Sequence, residues 1–588
     1  MNLPQHAPFR PLKMAFPWRL FGALFALCWS GLTLAQHRYP QNDFRSPVDI
    51  PIYLAGNFGE LRPNHFHAGL DIKTEGREGK RIYAIADGYV SRIKISTRGY
   101  GKALYITHPN GYTSVYAHLQ RFSPEIEAYV RKEQYRQQTF TLELFPTEVD
   151  LPVKQSDVVA LSGNTGSSGG PHLHFEIRET YTEVPVNPLL FGYAVPDRVP
   201  PVIKMVSVYP LDDTSTVNGR HVPQHFRAQG GPGSYSINGR GAIKVHGRIG
   251  FGIETIDRMS GSSNQNGTYS VELYREGALI YHHEMEKVGF HETRYLNSHV
   301  DYYQSWRNRR KIQRSFLLPN NPLGIYRTVP HAHALPNDPD TVIAMKYVVK
   351  DVLGNESALR FRLRVDTTTA NGTASAGKGM RFDFDRENRL QHGAMEAYFP
   401  AGSFYRDVDF QFSERPPVTG AVCPTYRLHR THEPLHKAMT LNIRLNDLPE
   451  RLLDKALIVS VNGNGKPSSR GGGTLDGRQL QLKTTYLGNY TVMIDSVAPA
   501  ITPLNISPGK SVQGQSTIAF KIKDRLAGIS EYNCWVDGQW VLMEYETKKH
   551  TISHALADSP IGPGVHNLKL EVVDGRGNRS VYTADFRL

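Results

Sequence analysis

Ser162-Gly163-Asn164-Thr165-Gly166-Ser167-Ser168-Gly169-Gly170-Pro171-His172-Leu173-His174-Phe175-Glu176 is the stretch on which the fold turns. Its first nine residues are Gly, Ser, Asn and Thr, a composition that predicts a loop. After Pro171 a polar and an apolar residue alternate, the period of a β-strand. Residues i and i+2 of a strand share a face. His172, His174 and Glu176 therefore point one way, and Leu173 and Phe175 point into a core. Two neighbouring imidazoles on one face suit a metal ligand beside a proton-transfer group; a solvated strand face with incidental histidines is the plainer alternative.

Two upstream segments carry matching residue types. In Asn64-His65-Phe66-His67-Ala68-Gly69-Leu70-Asp71, a straight strand would hold His67 and Asp71 ~13 Å apart, from four steps of ~3.3 Å. One ion held at ~2.0–2.2 Å by each ligand needs the chain to bend between them. Ala68-Gly69 is the expected bend, because glycine permits unusual backbone angles. A helix would also bring i and i+4 together, but the alternation Leu70-Asp71-Ile72 favours a strand. His65 stands beside His67 as a competing ligand. In Val115-Tyr116-Ala117-His118-Leu119, His118 follows Tyr116 at strand spacing, so both can face the same site; a half-buried histidine bonded to the backbone is the plainer reading. Two histidines and one carboxylate leave a fourth position for water, as catalytic zinc sites do. Glu176 reads either as a carboxylate orienting an imidazole or as a surface group.

In this order the three segments resemble the lysostaphin-type peptidoglycan endopeptidases, the LytM family. The shared motifs are His-x-x-x-Asp (His67–Asp71), Tyr-x-His-Leu (Tyr116–Leu119) and a Gly-Asn-Thr-Gly loop (Gly163–Gly166) running into His-x-His (His172–His174). Each motif is weak alone, and the ordered combination is specific. The resemblance spans residues 48–190, about a quarter of the 588 residues. It implies an antiparallel β domain at 48–195, one Zn2+ per chain held by His67, Asp71 and His174, and catalytic roles for His118 and His172. The implied reaction is hydrolysis of peptide cross-links in bacterial peptidoglycan, with the division of labour between the two histidines left open. None of the five residues is substituted, unlike in the inactive members that act as amidase activators. An insertion, Arg121 to Asp150, departs from the pattern and bears on substrate specificity. Ser123-Pro124 opens a predicted helix over Glu125 to Gln138 within it. A non-catalytic envelope scaffold, or an activator of another cell-wall hydrolase, is the rival reading.

A chain of 588 residues predicts roughly three to five domains. The 52 Gly and 38 Pro, with runs of Val, Ile, Tyr and Thr, favour strands and turns and so a mainly β, multidomain protein. Arg10, Lys13 and Arg19 precede an apolar run from Leu20 to Ala35, which reads as a signal peptide over residues 1–35. An uncleaved anchor is the alternative. Export to the periplasm or outer envelope of a bacterium follows, and no later segment is apolar enough to span a bilayer. Leu27 before Cys28 argues against a lipoprotein. Cys423 and Cys534 fall in different domains, so disulfides are not the main staple and a cysteine-ligated zinc site is excluded. The net charge of +13 serves solubility or attraction to a polyanionic envelope. Its scattered basic residues argue against nucleic acid.

Pro196 to Pro201 reads as a linker. Beyond it Ile256-Asp257-Arg258-Met259-Ser260-Gly261 resembles Lys523-Asp524-Arg525-Leu526-Ala527-Gly528, and Asp351 to Ser357 resembles Asp574 to Ser580. The repeat predicts two immunoglobulin-like β-sandwiches at 200–366 and 497–588, the first with a long insertion between its motifs. Residues 380–495 form a third β-rich accessory domain. These C-terminal domains are candidates for envelope protein partners. The Asp-Gly-Asn clusters are turns, with calcium binding through their Asp residues as the alternative. No His-Glu-x-x-His helix, Gly-x-Ser-x-Gly elbow or phosphate loop is present.

Overall fold

The structure is a computed structural model and describes residues 38–237, 241–329, 338–366, 379–558 and 561–588. The expected signal segment lies outside the described residues. Among the described residues no helix is long and apolar enough to cross a membrane.

The N-terminal region is built on strands β1 (Leu54–Gly56), β2 (Leu70–Lys73), β3 (Gly88–Ile95), β4 (Lys102–Thr107) and β5 (Tyr112–Ala117), helix α1 (Pro124–Gln137), and strands β6 (Leu142–Leu144) and β7 (His172–Glu179). They form one sheet in the order β1-β2-β7-β5-β4-β3-β6, antiparallel throughout. The last strand, β7, enters between β2 and β5 and joins chain segments some hundred residues apart. Its alternation behaves as the sequence predicts: Leu173, Phe175 and Ile177 are fully buried. The other face is buried too, with His174, Glu176 and Arg178 at 3%, 0% and 4% exposure. A solvated strand face is therefore excluded.

The insertion is part of the fold. Helix α1 starts at Pro124, directly after the N-cap Ser123 as the sequence predicts, and turns Ile126 and Val130 into the core. Strand β6 pairs with β3, Leu142 opposite Ile95, at the edge of the sheet farthest from β2. Part of the insertion thus builds the far edge of the sheet.

Residues 202–365 form a linked twelve-stranded system. Strand Gln224–Gly231 joins its two layers: its first half pairs with Val202–Pro210 and its second with Ser234–Ile237. The long insertion expected between the two turn motifs has a packing role, because Met285, Val288, Leu296, Val300, Leu323 and Ile325 continue the N-terminal core. Residues 382–494 enclose their own core between two five-stranded sheets. Residues 500–587 pair a four-stranded with a five-stranded sheet around a fourth core. Cys423 and Cys534 are both free thiols.

Candidate metal centre

Register brings the site together. In β7, His174 lies opposite Asp71 of β2 on one side and Ala117 of β5 on the other. His118 follows directly at the end of β5 with φ +59°, a conformation that ends the strand at that residue. His67 arrives from the short strand His65–Phe66 through the expected bend at Ala68-Gly69. The reason for glycine is close approach: a Cβ on Gly69 would lie 2.3 Å from the carbonyl oxygen of Phe175, and Gly69 is not among the positive-φ residues.

Three donor atoms converge. His67 Nε2 is 3.0 Å from His174 Nδ1 and 3.1 Å from Asp71 Oδ1, and His174 Nδ1 is 2.9 Å from Asp71 Oδ1. All three residues are at most 6% exposed. Tetrahedral ligands at ~2.0 Å from zinc stand ~3.3 Å apart, close to these spacings. Each donor is oriented from behind. His67 Nδ1–H donates to Asn57 O at 2.8 Å, which leaves Nε2 to ligate. His174 Nε2–H donates to Glu176 Oε1 at 2.8 Å, which leaves Nδ1. Asp71 Oδ2 accepts from the Arg62 guanidinium. Two nitrogens and one carboxylate oxygen, so oriented, fit zinc.

The electrostatics favour positive charge. Burial lowers the His174 imidazole, but Asp71 and Glu176 outweigh it and raise its pKa to about 9. Burial alone would raise Asp71, yet His67, His172 and His174 hold it well below the usual carboxylate range. Glu176 is fully buried and is held at about 2, because Arg178 and His174 outweigh its desolvation.

His118 and His172 flank the three donors. His118 Nδ1–H donates to Thr165 O at 2.9 Å, and His172 Nδ1–H to Gly170 O at 2.8 Å. Each ring is therefore held through Nδ1 and turns its Nε2 away from that anchor. The two ring centroids are 4.8 Å apart, and His172 Nε2 is 3.4 Å from Asp71 Oδ1. Burial, then the imidazoles of His174 and His172, push the His118 pKa down to about 3. His65 is exposed and bonded to Pro63 O, outside the ligand cluster; it does not compete.

Sequence reasoning missed Arg62, Asn57, Tyr100 and Arg178. Tyr100 stacks its ring on His174 at 5.1 Å and donates its hydroxyl to Glu176 Oε1. Arg178 Nε donates to Glu176 Oε2 at 2.7 Å. Carrying the β7 alternation one step past Glu176 would have found Arg178. The other three come from loops and a short strand that only the tertiary fold brings close.

Comparison with known proteins gives two domain matches: residues 65–136 match peptidase family M23, and residues 380–495 match the Zu5-like domain. The chain is 31% identical over 131 residues to the DD-carboxypeptidase/endopeptidase Mpg of Neisseria meningitidis, covering 22% of this chain and 24% of that protein. It is 35% identical over 123 residues to the murein hydrolase activator NlpD of Escherichia coli, covering 21% of this chain and 25% of that protein. The chain thus spans about a quarter of the length of these curated relatives. Among solved structures, the catalytic domain of lysostaphin from Staphylococcus simulans aligns with 20% identity, 24% of this chain, 90% of that chain and a TM-score of 0.18. The N-terminal region of this chain carries a peptidase family M23 domain.

Proposed function

We propose that the chain is an exported zinc metalloendopeptidase that hydrolyses peptide bonds in the cross-links of bacterial peptidoglycan. The observation that carries this reading is the triangle His67 Nε2, Asp71 Oδ1 and His174 Nδ1, with sides of 2.9–3.1 Å, beside two anchored imidazoles. The matched relatives include a peptidase and an activator of murein hydrolases, which supports a cell-wall substrate and an envelope location.

His67, Asp71 and His174 would hold the zinc, which would supply a Lewis acid and make water a nucleophile near neutral pH. His118 and His172 do the proton work. Each is fixed through Nδ1 and offers Nε2 to the reacting atoms. One accepts the proton of the attacking water, and the other stabilises the oxyanion or protonates the leaving amine. Burial, then the neighbouring imidazoles, keep His118 neutral at physiological pH. Glu176 and Asn57 hold the ligand rings in the tautomers the site requires.

A second reading, a scaffold that activates another hydrolase, draws on one contact. Lys548 of the C-terminal domain donates from Nζ to Asn164 Oδ1 at 3.2 Å and to Ser168 O at 3.1 Å, on the loop that leads into β7. The test is zinc content and release of free amines from purified peptidoglycan, beside His174→Ala. Zinc near one per chain with cleavage lost in the variant supports the endopeptidase. Zinc without cleavage on several wall types favours the scaffold, and no zinc under metal-replete conditions refutes the site.

A further inference from the structure

Beyond the zinc centre, the described residues hold two groups of three carboxylates whose oxygens converge, Asp197–Asp257–Asp351 and Asp495–Asp524–Asp574. They occupy matching places. Asp197 and Asp495 each begin an Asp-x-Val-x-Pro segment at the start of a domain. Asp257 and Asp524 stand in the first repeated motif, and Asp351 and Asp574 in the second.

The outer members of the two groups are bonded alike. Asp351 Oδ1 accepts from Leu353 N and Asn355 N, as Asp574 Oδ1 does from Arg576 N and Asn578 N. Asp197 accepts from Val199 N and Ser260 N, as Asp495 does from Val497 N and Ala527 N. The central residues differ. Asp524 Oδ2 is taken up by Leu526 N at 2.9 Å and Gly528 N at 2.7 Å of its own turn. Asp257 is 5% exposed, and its Oδ1 is buried with no hydrogen-bond partner.

A second orphaned oxygen stands beside it. Asp257 and Asn266 exchange backbone hydrogen bonds at 3.0 and 2.9 Å as a single antiparallel bridge. Directly opposed residues of such a pair present their side chains on one face. Asn266 is 4% exposed, and its Oδ1 is also buried without a partner. Leaving such groups unpaired costs several kcal/mol, and burial together with Asp351 and Asp197 raises the Asp257 carboxyl to about 8. A cation at this point would satisfy all of these groups.

We propose that Asp197, Asp257 and Asp351, with Asn266, bind a calcium ion at the base of the Asp257–Asn266 loop. The donors are all oxygen, which suits a hard cation. The carboxylate oxygens lie within 4.8 Å of one another, the span of opposite ligands in a shell of ~2.4 Å bonds. The loop above the ion rests on the N-terminal domain. Asn264 Nδ2 donates to Ala55 O of β1, Lys73 Nζ to Ser262 Oγ, and the Asn57 amide exchanges two 2.8 Å bonds with Gly267. Asn57 is the residue whose carbonyl orients His67. The ion therefore fixes the platform behind one ligand of the metal centre, and Asp197 ties the interdomain segment to the same point.

The test is calorimetric titration of the whole, chelator-treated, zinc-replete protein with CaCl2 up to about 10 mM, paired with thermal melting. Asp257→Asn and Asp524→Asn are compared with the parent. The expected result is one calcium per chain with Kd of about 10⁻⁴–10⁻³ M, weakened at least about tenfold by Asp257→Asn and unchanged by Asp524→Asn. In the absence of calcium, Asp257→Asn should melt at or above the parent, because it replaces a buried carboxyl whose Oδ1 has no partner. Absence of binding in the parent, binding that survives Asp257→Asn, or loss through Asp524→Asn instead would each overturn the assignment. So would a calcium-free Asp257→Asn protein that melts well below the parent, since that would make Asp257 an ordinary structural hydrogen-bonding group.

Discussion

Replacing Glu176 by Gln keeps the size of the side chain and removes its charge, and the structure says what that removes. Glu176 takes the Nε2–H of His174 on Oε1 at 2.8 Å, the Tyr100 hydroxyl on the same oxygen, and Arg178 Nε on Oε2 at 2.7 Å, all at 0% exposure. Loss of a carboxylate behind a ligating imidazole weakens metal binding by about 10–100-fold, or about 1.4–2.7 kcal/mol. Arg178, itself 4% exposed, keeps only the exposed Glu183 carboxylate 3.7 Å away, at a cost of up to about 3–5 kcal/mol in stability. The two effects separate experimentally. Zinc affinity is read by competition with a chromophoric chelator, and stability by the melting of the N-terminal domain. A Glu176→Gln/Arg178→Gln pair should recover much of the stability and none of the zinc affinity. Glu179→Gln, on a half-exposed carboxylate tied to Thr182 and Lys287, should leave zinc affinity unchanged. Zinc affinity within twofold of the parent in Glu176→Gln, with stability lowered, would refute the argument: Glu176 would then serve Arg178 and not the imidazole.

Gly69→Ala places a Cβ 2.3 Å from Phe175 O, so β2 and β7 must part; a loss of about 3 kcal/mol and a fall in bound zinc should appear together, and full zinc occupancy would sink the idea. In calcium-free protein, Asp257 holds its proton up to about pH 8 when folded but only to about pH 3.9 when unfolded. The unfolded chain therefore loses that proton first, and stability should fall as pH rises from about 4 to about 8. Asp257→Asn should flatten this part of the melting profile, and a parallel profile for parent and variant would count against it. Glu544→Gln leaves the Lys102 ammonium, 6% exposed and 3.0 Å from that carboxylate, without its partner. The C-terminal domain should then hold the N-terminal one less tightly by about 1–2 kcal/mol, seen as faster proteolysis between residues 495 and 500; an unchanged cleavage rate would show the pair to be passive.

Much of the candidate metal centre was legible because it obeys short-range rules. His172, His174 and Glu176 follow from the two-residue period of one strand, and the bend between His67 and Asp71 follows from the distance one ion allows. What strand periodicity could not show was that both faces of β7 are buried, since that depends on Tyr100 and on the neighbouring strands. Gly69 was expected for its backbone freedom and serves instead to let Phe175 O approach, a contact with a residue more than a hundred positions away. The repeated turn motifs revealed Asp257, Asp351, Asp524 and Asp574. Asp197 and Asp495 escaped notice although the repeated Asp-x-Val-x-Pro marks them both, because the first was read only as linker. The turn motifs alone do not separate Asp257 from Asp524; the difference lies in which way each carboxylate turns and in Asn266, which the fold brings opposite Asp257.

The contact between Lys548 and the Asn164–Ser168 loop joins residues 384 and 380 positions apart, and Lys102 reaches Glu544 across 442. Chains are made, and an exported chain is delivered across a membrane, from the N-terminus, and domains fold as they emerge. The first domain can complete its sheet before the residues that rest on its loops arrive. For that interval its loop into β7 is bare, and the hairpin that covers it, Glu544–Glu546 with Thr551–Ala555, is among the last to be made. The order of synthesis thus becomes a clock: a nascent or truncated chain presents a loop that the finished molecule has already clasped.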